Sequence, residues 1–194
     1  MIVIHYTAME NAAAAIARLC DPAAEVSAHY VIAKDGTLTQ LVAEADRAWH
    51  AGVGEWQGMD DINSRSIGIE LDNRGDHPFP DPQMGALECL IADIRSRWPI
   101  PASGIIGHSD MAPGRKIDPG PRFDWTRLAR QGLAAQPCRG DMPPTVGMDA
   151  FRSLAHKAGY TAMADDAAVL AAVRARFRPH ASGPLCAADF AVLG

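Results

Sequence analysis

Cysteine is scarce in this chain. Four occur in 194 residues (Cys20, Cys89, Cys138 and Cys186), far apart and without a C-x-x-C pair. That spacing excludes a zinc site built from cysteines and argues against a disulfide framework at this length. Cys20 and Cys89 read as small hydrophobes on the apolar faces of helices. Clustered positive charge is also missing. Lysine and arginine total 18 against 23 acidic residues, for a net charge of −5, and no basic block occurs. Nucleic acid is therefore not the expected partner. No apolar run reaches transmembrane length, and no leader, repeat or low-complexity tract is visible. These absences predict a cytoplasmic monomer for the chain as given, with a periplasmic location as the alternative if a leader is missing. What is present in quantity is hydrophobic sequence, at 48% of residues. That is enough for one good-sized domain, or a larger and a smaller one.

The pattern alternates strands and helices. Ile2-Val3-Ile4 is a β-branched run and predicts a buried strand. Met9, Ala12, Ala13, Ile16 and Leu19 follow at helical spacing, and Asp21-Pro22 ends that helix. A strand over His29–Ala33, a turn at Lys34-Asp35-Gly36 and a strand over Thr37–Val42 form a predicted hairpin. Arg47 to Gly58 reads as an irregular, glycine-rich loop. Ser66–Leu71 predicts a strand, and Met84, Leu87, Leu90, Ile91, Ile94 and Trp98 a helical stripe. Ile105–Gly107 is a short strand, and Asp124 is placed to cap a further helix. Together these predict an α/β fold, a central mixed β-sheet flanked by helices, over residues 1–136. Proline and glycine mark residues 137–146 as a linker. Residues 147–194 carry three short apolar stripes and predict a small helical module that leans on the main domain.

The densest chemistry lies in His108–Asp118. Prolines and glycines punctuate this stretch and its exit, which predicts a rigid loop rather than a helix or strand. Neutral imidazole and carboxylate are zinc ligands, and a catalytic zinc takes three protein donors and keeps one position open. His5, at the end of the first strand, supplies the third donor beside His108 and Asp118. On its own it fits a hydrogen-bonded core histidine better, the His108–Asp118 loop reverses that preference, and His29 competes with it for the ligand role. Lys116 between two ligands repels a cation. It makes sense as a surface lysine on a loop or, as a catalyst, where negative charge develops during a reaction. Glu70 shares a strand face with Gly68, whose missing side chain leaves room for an approaching ligand. A carboxylate there can accept the proton of an activated water. Three consecutive residues, His108-Ser109-Asp110, cannot form a serine hydrolase relay. Ser109 and Asp110 instead brace the loop or support the metal histidine. Trp49, His50 and Trp56 sit in a glycine-rich loop suited to stacking on sugars or to anchoring itself.

These pieces together resemble the zinc-dependent N-acetylmuramoyl-L-alanine amidases of the type 2 family, which includes phage lysozyme-like amidases and peptidoglycan recognition proteins. The resemblance runs from His5 to about Leu133. It rests on His5-Tyr6-Thr7, on Ser27–Ile32 with Asp35-Gly36, and on Ala48-Trp49-His50-Ala51-Gly52. Asn63–Glu70, Gly107–Asp110 and Arg115–Gly120 complete it. It implies that His5, His108 and Asp118 bind one zinc ion and that Glu70 and Lys116 are catalytic. It implies hydrolysis of the amide between N-acetylmuramic acid, or its anhydro form, and L-alanine, in peptidoglycan or muropeptides. Trp49 and His50 would meet the sugar, and Arg65 or Arg115 the peptide carboxylates. Residues Phe151–Tyr160 and the Phe177-Arg178-Pro179 turn are similar to small peptidoglycan-binding modules. Two alternatives stand beside the amidase: a non-catalytic peptidoglycan sensor, and a zinc peptidase cutting the stem peptide. The presence of all the candidate ligands, with Glu70 and Lys116, favours an enzyme over a sensor.

Overall fold

The computed structural model describes residues 1–138, 140 and 146–194. Five strands, β1 (Ile2–Tyr6), β2 (Tyr30–Ile32), β3 (Leu38–Gln40), β4 (Ile67–Leu71) and β5 (Ile105–Gly107), form one sheet in the order β3-β2-β4-β1-β5. β1 lies parallel to both β4 and β5, and β2 lies parallel to β4. β3 returns antiparallel to β2 through the expected Asp-Gly hairpin, where Gly36 takes φ +89°, a conformation open to glycine. The sheet is mixed, as the sequence pattern predicts.

Strand alternation divides the sheet into two unlike faces. Ile2, Ile4, Ile67, Ile69, Leu71 and Ile105 all point to one side and are buried in a single core. Two helices close that side: α2 (Asp81–Arg97), through Met84, Leu87, Leu90, Ile91 and Ile94, and α4 (Trp125–Arg130), through Trp125 and Leu128. Asp124 caps α4 by accepting from the Arg127 backbone N–H at 2.9 Å. Each such side chain contributes about 1.5–3 kcal/mol by leaving water. Trp98 does not complete the α2 stripe. It follows the last helical residue, is 38% exposed, and its indole N–H donates to Glu44. Cys89 is exposed too, because the inward positions of its turn are taken by Leu87, Leu90 and Ile91; Cys20, just past the end of its helix, is also exposed. Neither cysteine acts as a core hydrophobe.

The other face carries Val3 and Ile106, and it carries His5, Gly68 and Glu70 by the same alternation. Three C-terminal helices, α5 (Met148–Ala158), α6 (Asp166–Phe177) and α7 (Ala187–Ala191), share a core with Val3 and Ile106. Phe151, Val169, Leu170, Val173 and Phe190 fill it. The C-terminal helices are thus a layer over β1 and β5. The remaining part of this face is walled by α1 (Ala12–Leu19), whose N-terminus is capped by Asn11 accepting from the Ala14 N–H at 2.9 Å. The linker expected over residues 137–146 lies in part outside the described residues. Of the described ones, Cys138 and Gly140 donate backbone hydrogen bonds to Val192 and Ala191 at 3.0 Å.

The stretch after β5 corrects one expectation. Residues His108–Met111 form a helical turn, α3, rather than irregular loop. Its prolines and glycines all come later, from Pro113 onward. The Asp110 carboxylate caps the turn by accepting from the Gly107 N–H at 2.8 Å.

Candidate metal centre

Three elements bring their ends together at the C-terminal edge of the parallel strands. β1 delivers His5, α3 delivers His108, and the segment after α3 returns to deliver Asp118. The Ser109 N–H donates to the Asp118 carbonyl at 2.9 Å, which ties the two ends of the segment together. His5, His108 and Asp118 are all buried and could hold a metal ion. His5 Nδ1 lies 2.9 Å from His108 Nδ1, and Asp118 Oδ2 lies 3.0 and 3.1 Å from the two nitrogens.

The surrounding hydrogen bonds assign the tautomers. His108 Nε2 faces the Ala51 carbonyl at 2.8 Å, which only accepts, so Nε2 carries the proton. The Ser66 hydroxyl donates to the Ile62 carbonyl at 2.6 Å, so it accepts from His50 Nε2 at 3.3 Å. His50 Nδ1 is then a lone pair and accepts from His5 Nε2–H at 3.0 Å. Both Nδ1 atoms are therefore lone pairs, and they face each other and a carboxylate oxygen. Three such groups repel unless a cation sits among them. Tetrahedral zinc at 2.0–2.1 Å places its donors about 3.3 Å apart, a few tenths of an ångström wider than this triangle. The donor set fits zinc, with both histidines supported from behind.

The electrostatics agree. Burial, helped by the neighbouring His108, pushes His5 down to about 4, so it is a neutral imidazole near pH 7. Burial works to raise Asp118, but hydrogen bonds with His108 and His5 hold its carboxyl well below the usual range. Glu70 is the Cα partner of His5 across the β1–β4 pair. Its Oε2 is buried with no hydrogen-bond partner among the described residues. Burial pushes this carboxyl up to about 8, Asp118 adds to the rise, and Lys116 opposes it. A half-buried carboxyl with one shielded, unpartnered oxygen beside three lone-pair donors is costly for folding and useful for proton transfer.

A cavity of about 550 Å³ opens over these groups, lined among others by His5, Tyr6, Trp49, Glu70, Lys116 and Ile117. Trp49, which lines it, is 54% exposed, and Lys116 is an exposed part of the same lining. Arg115 also lines it, but its guanidinium donates to the carbonyls of Ala51 (2.6 Å) and Val53, holding that loop. His50, expected as a sugar contact, lines the cavity but is 9% exposed. Its ring is buried behind His5 and occupies the space beside Gly68, where a Cβ would overlap it. The room left by Gly68 thus serves an internal histidine and not an incoming ligand. Arg65 stands apart. It precedes β4, at the end of the strand opposite Glu70, and its Nε donates to the Asp60 carbonyl at 3.1 Å. His29 is no rival for the ligand role, because its Nδ1 accepts from the Gly68 N–H and its Nε2 donates to the Asp46 carbonyl. Trp56 is buried and packs edge-on against Tyr160, 5.0 Å between centroids, anchoring its loop to the C-terminal helices.

Sequence reasoning missed several contributors. Asn63 Oδ1 accepts from the backbone N–H groups of His50 and Ala51 at 3.0 and 2.8 Å and so places both supports of the metal histidines. Tyr6 and Ile117 line the cavity without having been singled out. Asn63 lay inside a quoted motif, and a polar residue ahead of a strand was the available signal. Tyr6 and Ile117 also lay inside motifs, His5-Tyr6-Thr7 and Arg115–Gly120, but nothing in local spacing marks them as cavity residues.

A family model described as N-acetylmuramoyl-L-alanine amidase matches residues 1–121. The chain is 40% identical over 153 residues to the N-acetylmuramoyl-L-alanine amidase AmiD of Escherichia coli strain K12, covering 71% of this chain and 54% of that protein. It is 48% identical over 103 residues to the 1,6-anhydro-N-acetylmuramyl-L-alanine amidase AmpD of Haemophilus influenzae, covering 53% and 56%. The chain spans about half the length of the curated relatives it matches. Among solved structures, the Escherichia coli AmiD complex with anhydro-N-acetylmuramic acid-L-Ala-D-gamma-Glu-L-Lys superposes with a TM-score of 0.90 at 35% identity, over 100% of this chain and 86% of that one. AmpDh3 of Pseudomonas aeruginosa, in complex with anhydromuramic pentapeptide, gives 0.87 at 33% identity, over 100% and 89%.

Proposed function

The chain belongs to the N-acetylmuramoyl-L-alanine amidase family, and from that premise we propose that it hydrolyses the amide between anhydro-N-acetylmuramic acid and L-alanine in muropeptides. The observation that carries this reading is the convergence of three lone-pair donors beside the unpartnered Glu70 carboxyl. The names of the similar proteins and their bound anhydromuramyl peptides support the substrate class.

His5, His108 and Asp118 would hold one zinc ion. Zinc in such a site supplies Lewis acidity, polarising a carbonyl and lowering the pKa of water toward about 7. Glu70 takes the proton of the attacking water and returns it to the departing alanine nitrogen. A nearby cation favours its ionised form and so offsets the rise that burial imposes. Lys116, on the cavity wall, meets the negative charge that grows on the carbonyl oxygen. Its contact strengthens only as that charge develops, so it favours the transition state. The hydrogen bonds from His5 to His50 and from His108 to Ala51 keep both Nδ1 lone pairs aimed inward. Trp49 offers the sugar ring an apolar face in the cavity lining. The C-terminal helices, from about residue 147, form the smaller unit of the protein and complete the layer beside the site.

Mass spectrometry of an anhydromuramyl tripeptide incubated with the full chain tests the proposal. Free anhydromuramic acid and an intact tripeptide support it. Unchanged substrate would favour a sensor, and a shortened peptide a stem peptidase; either result removes the amidase reading.

A further inference from the structure

The turn that carries His108 is held from outside the amidase core. Asp110, two residues on, is 1% exposed, and its carboxylate accepts three hydrogen bonds. Its Oδ2 accepts from Arg176 Nη1 at 2.6 Å as well as from the Gly107 N–H, and its Oδ1 accepts from the Tyr160 hydroxyl at 2.9 Å. Arg176 lies on α6, and Tyr160 follows α5. The Arg176 side chain is itself buried. It donates to the Ile105 carbonyl of β5 at 2.9 Å and lies 4.2 Å from the centre of the Trp125 ring. Tyr160 is fixed in turn by the Trp56 ring. A planar guanidinium with both terminal nitrogens bonded, over an aromatic face, is held in one orientation.

We propose that Arg176 and Tyr160 are positioning residues for the metal centre, acting through Asp110 to hold the α3 turn at the angle that points His108 Nδ1 at the ion. The argument is geometric. α3 is a single turn, too short to hold its own direction. His108 is bonded on its far side to Ala51, and that bond fixes the rotation of the ring but not the path of the backbone. The backbone is pinned at Gly107, at Ser109 through the Asp118 carbonyl, and at Asp110, and two of the three bonds to the Asp110 carboxylate come from the C-terminal segment. The C-terminal layer thereby belongs to the metal site's supporting shell, whatever else it binds. Supporting groups of this kind change metal affinity roughly 10–100-fold when removed.

The inference rests on His5, His108 and Asp118 being ligands, so the test separates the two. Zinc affinity is measured on the full chain by competition with a chromophoric chelator, alongside the visible spectrum of the cobalt-substituted protein. Wild type must bind one zinc ion and His108→Ala must not; failure here overturns the ligand reading and the inference with it. Given that, Tyr160→Phe, which keeps the ring on Trp56, should weaken zinc several-fold and shift the cobalt bands. Arg176→Gln should weaken it roughly tenfold or more, with Arg176→Lys recovering part of the loss. Thr161→Val removes a different bond across the same contact, from the Gly58 N–H to the Thr161 hydroxyl at 2.9 Å, and should leave affinity unchanged. Should Arg176→Gln fail to fold, Tyr160→Phe decides. Folded Tyr160→Phe and Arg176→Gln proteins with wild-type zinc affinity overturn the inference and leave the ligand reading standing, as does an equal loss in Thr161→Val.

Discussion

The two faces of one sheet divide the work of this protein. One face is largely apolar, and α2 and α4 close it. Its aliphatic and aromatic side chains gain from leaving water, and none is asked to do chemistry. The buried Gln83 is a polar exception that donates to the Ile32 and Asp72 carbonyls. The other face has an apolar half under the C-terminal helices and a polar half that ends in histidines, a carboxyl with one buried oxygen left without a partner, and an open cavity. The same five-residue strand serves both: Ile2 and Ile4 look into the first core, while Val3 and His5 look the other way. Stability is concentrated on one side so that a costly arrangement can be held on the other.

The sharpest way to test that division is to take the metal away. Chelation should reduce turnover to background, and one equivalent of zinc should restore it. If zinc is present at about a thousandfold over its dissociation constant, its removal also lowers the unfolding free energy by about 4 kcal/mol, read from the urea midpoint. Turnover that survives strong chelation breaks the reading of the polar face.

Glu70→Ala should cost roughly 10²–10⁴ in kcat/KM while zinc stays bound. Its effect on stability should have the opposite sign from a core mutation, because it removes a carboxyl whose Oε2 is buried without a partner. The metal-free variant should unfold at a higher urea concentration than metal-free wild type. On the apolar face, Leu87→Ala removes a fully buried side chain and should cost about 2–5 kcal/mol, with zinc affinity held within about twofold by chelator competition. A Leu87→Ala protein that loses zinc would mean that the two faces are not separable.

Sequence alone revealed most of the apolar face and the three donors, for the same reason. Periodicity and residue type are local, so Ile2-Val3-Ile4, the α2 stripe and the His108–Asp118 spacing could all be read directly. What could not be read depends on packing between distant segments. Gly68 looked like space for a ligand, but the space is filled by His50 from a loop eighteen residues earlier. Arg65 was grouped with the site by its motif, yet strand direction puts it at the far end of β4. The buried Arg176 sits in an alanine-rich helix whose pattern gives no reason to bury a charge. Its partner, Asp110, is distant in the chain. The α3 turn was hidden by the prolines and glycines that follow it.

The smallest predicted effect sharpens the comparison from the apolar side. Glu44 ties the hairpin to the end of α2: it accepts from Tyr30 Oη at 2.7 Å, from Arg97 Nη2 at 2.6 Å and from the Trp98 indole at 2.7 Å. The Arg97 guanidinium leads in holding its carboxyl down at about 2, against an ordinary value of 4.5. A carboxyl depressed by folding stabilises the native state above its unfolded pKa, and that contribution is lost as pH falls through the folded one. The loss should therefore run from about pH 4.5 to about pH 2 and, after solvent screening of the exposed Arg97, amount to about 1–2 kcal/mol. Urea unfolding of wild type and Glu44→Gln across that range measures it. The Gln variant should be less stable near pH 6 and converge on wild type near pH 2, whereas parallel curves would show that other carboxylates carry the acid sensitivity of this face.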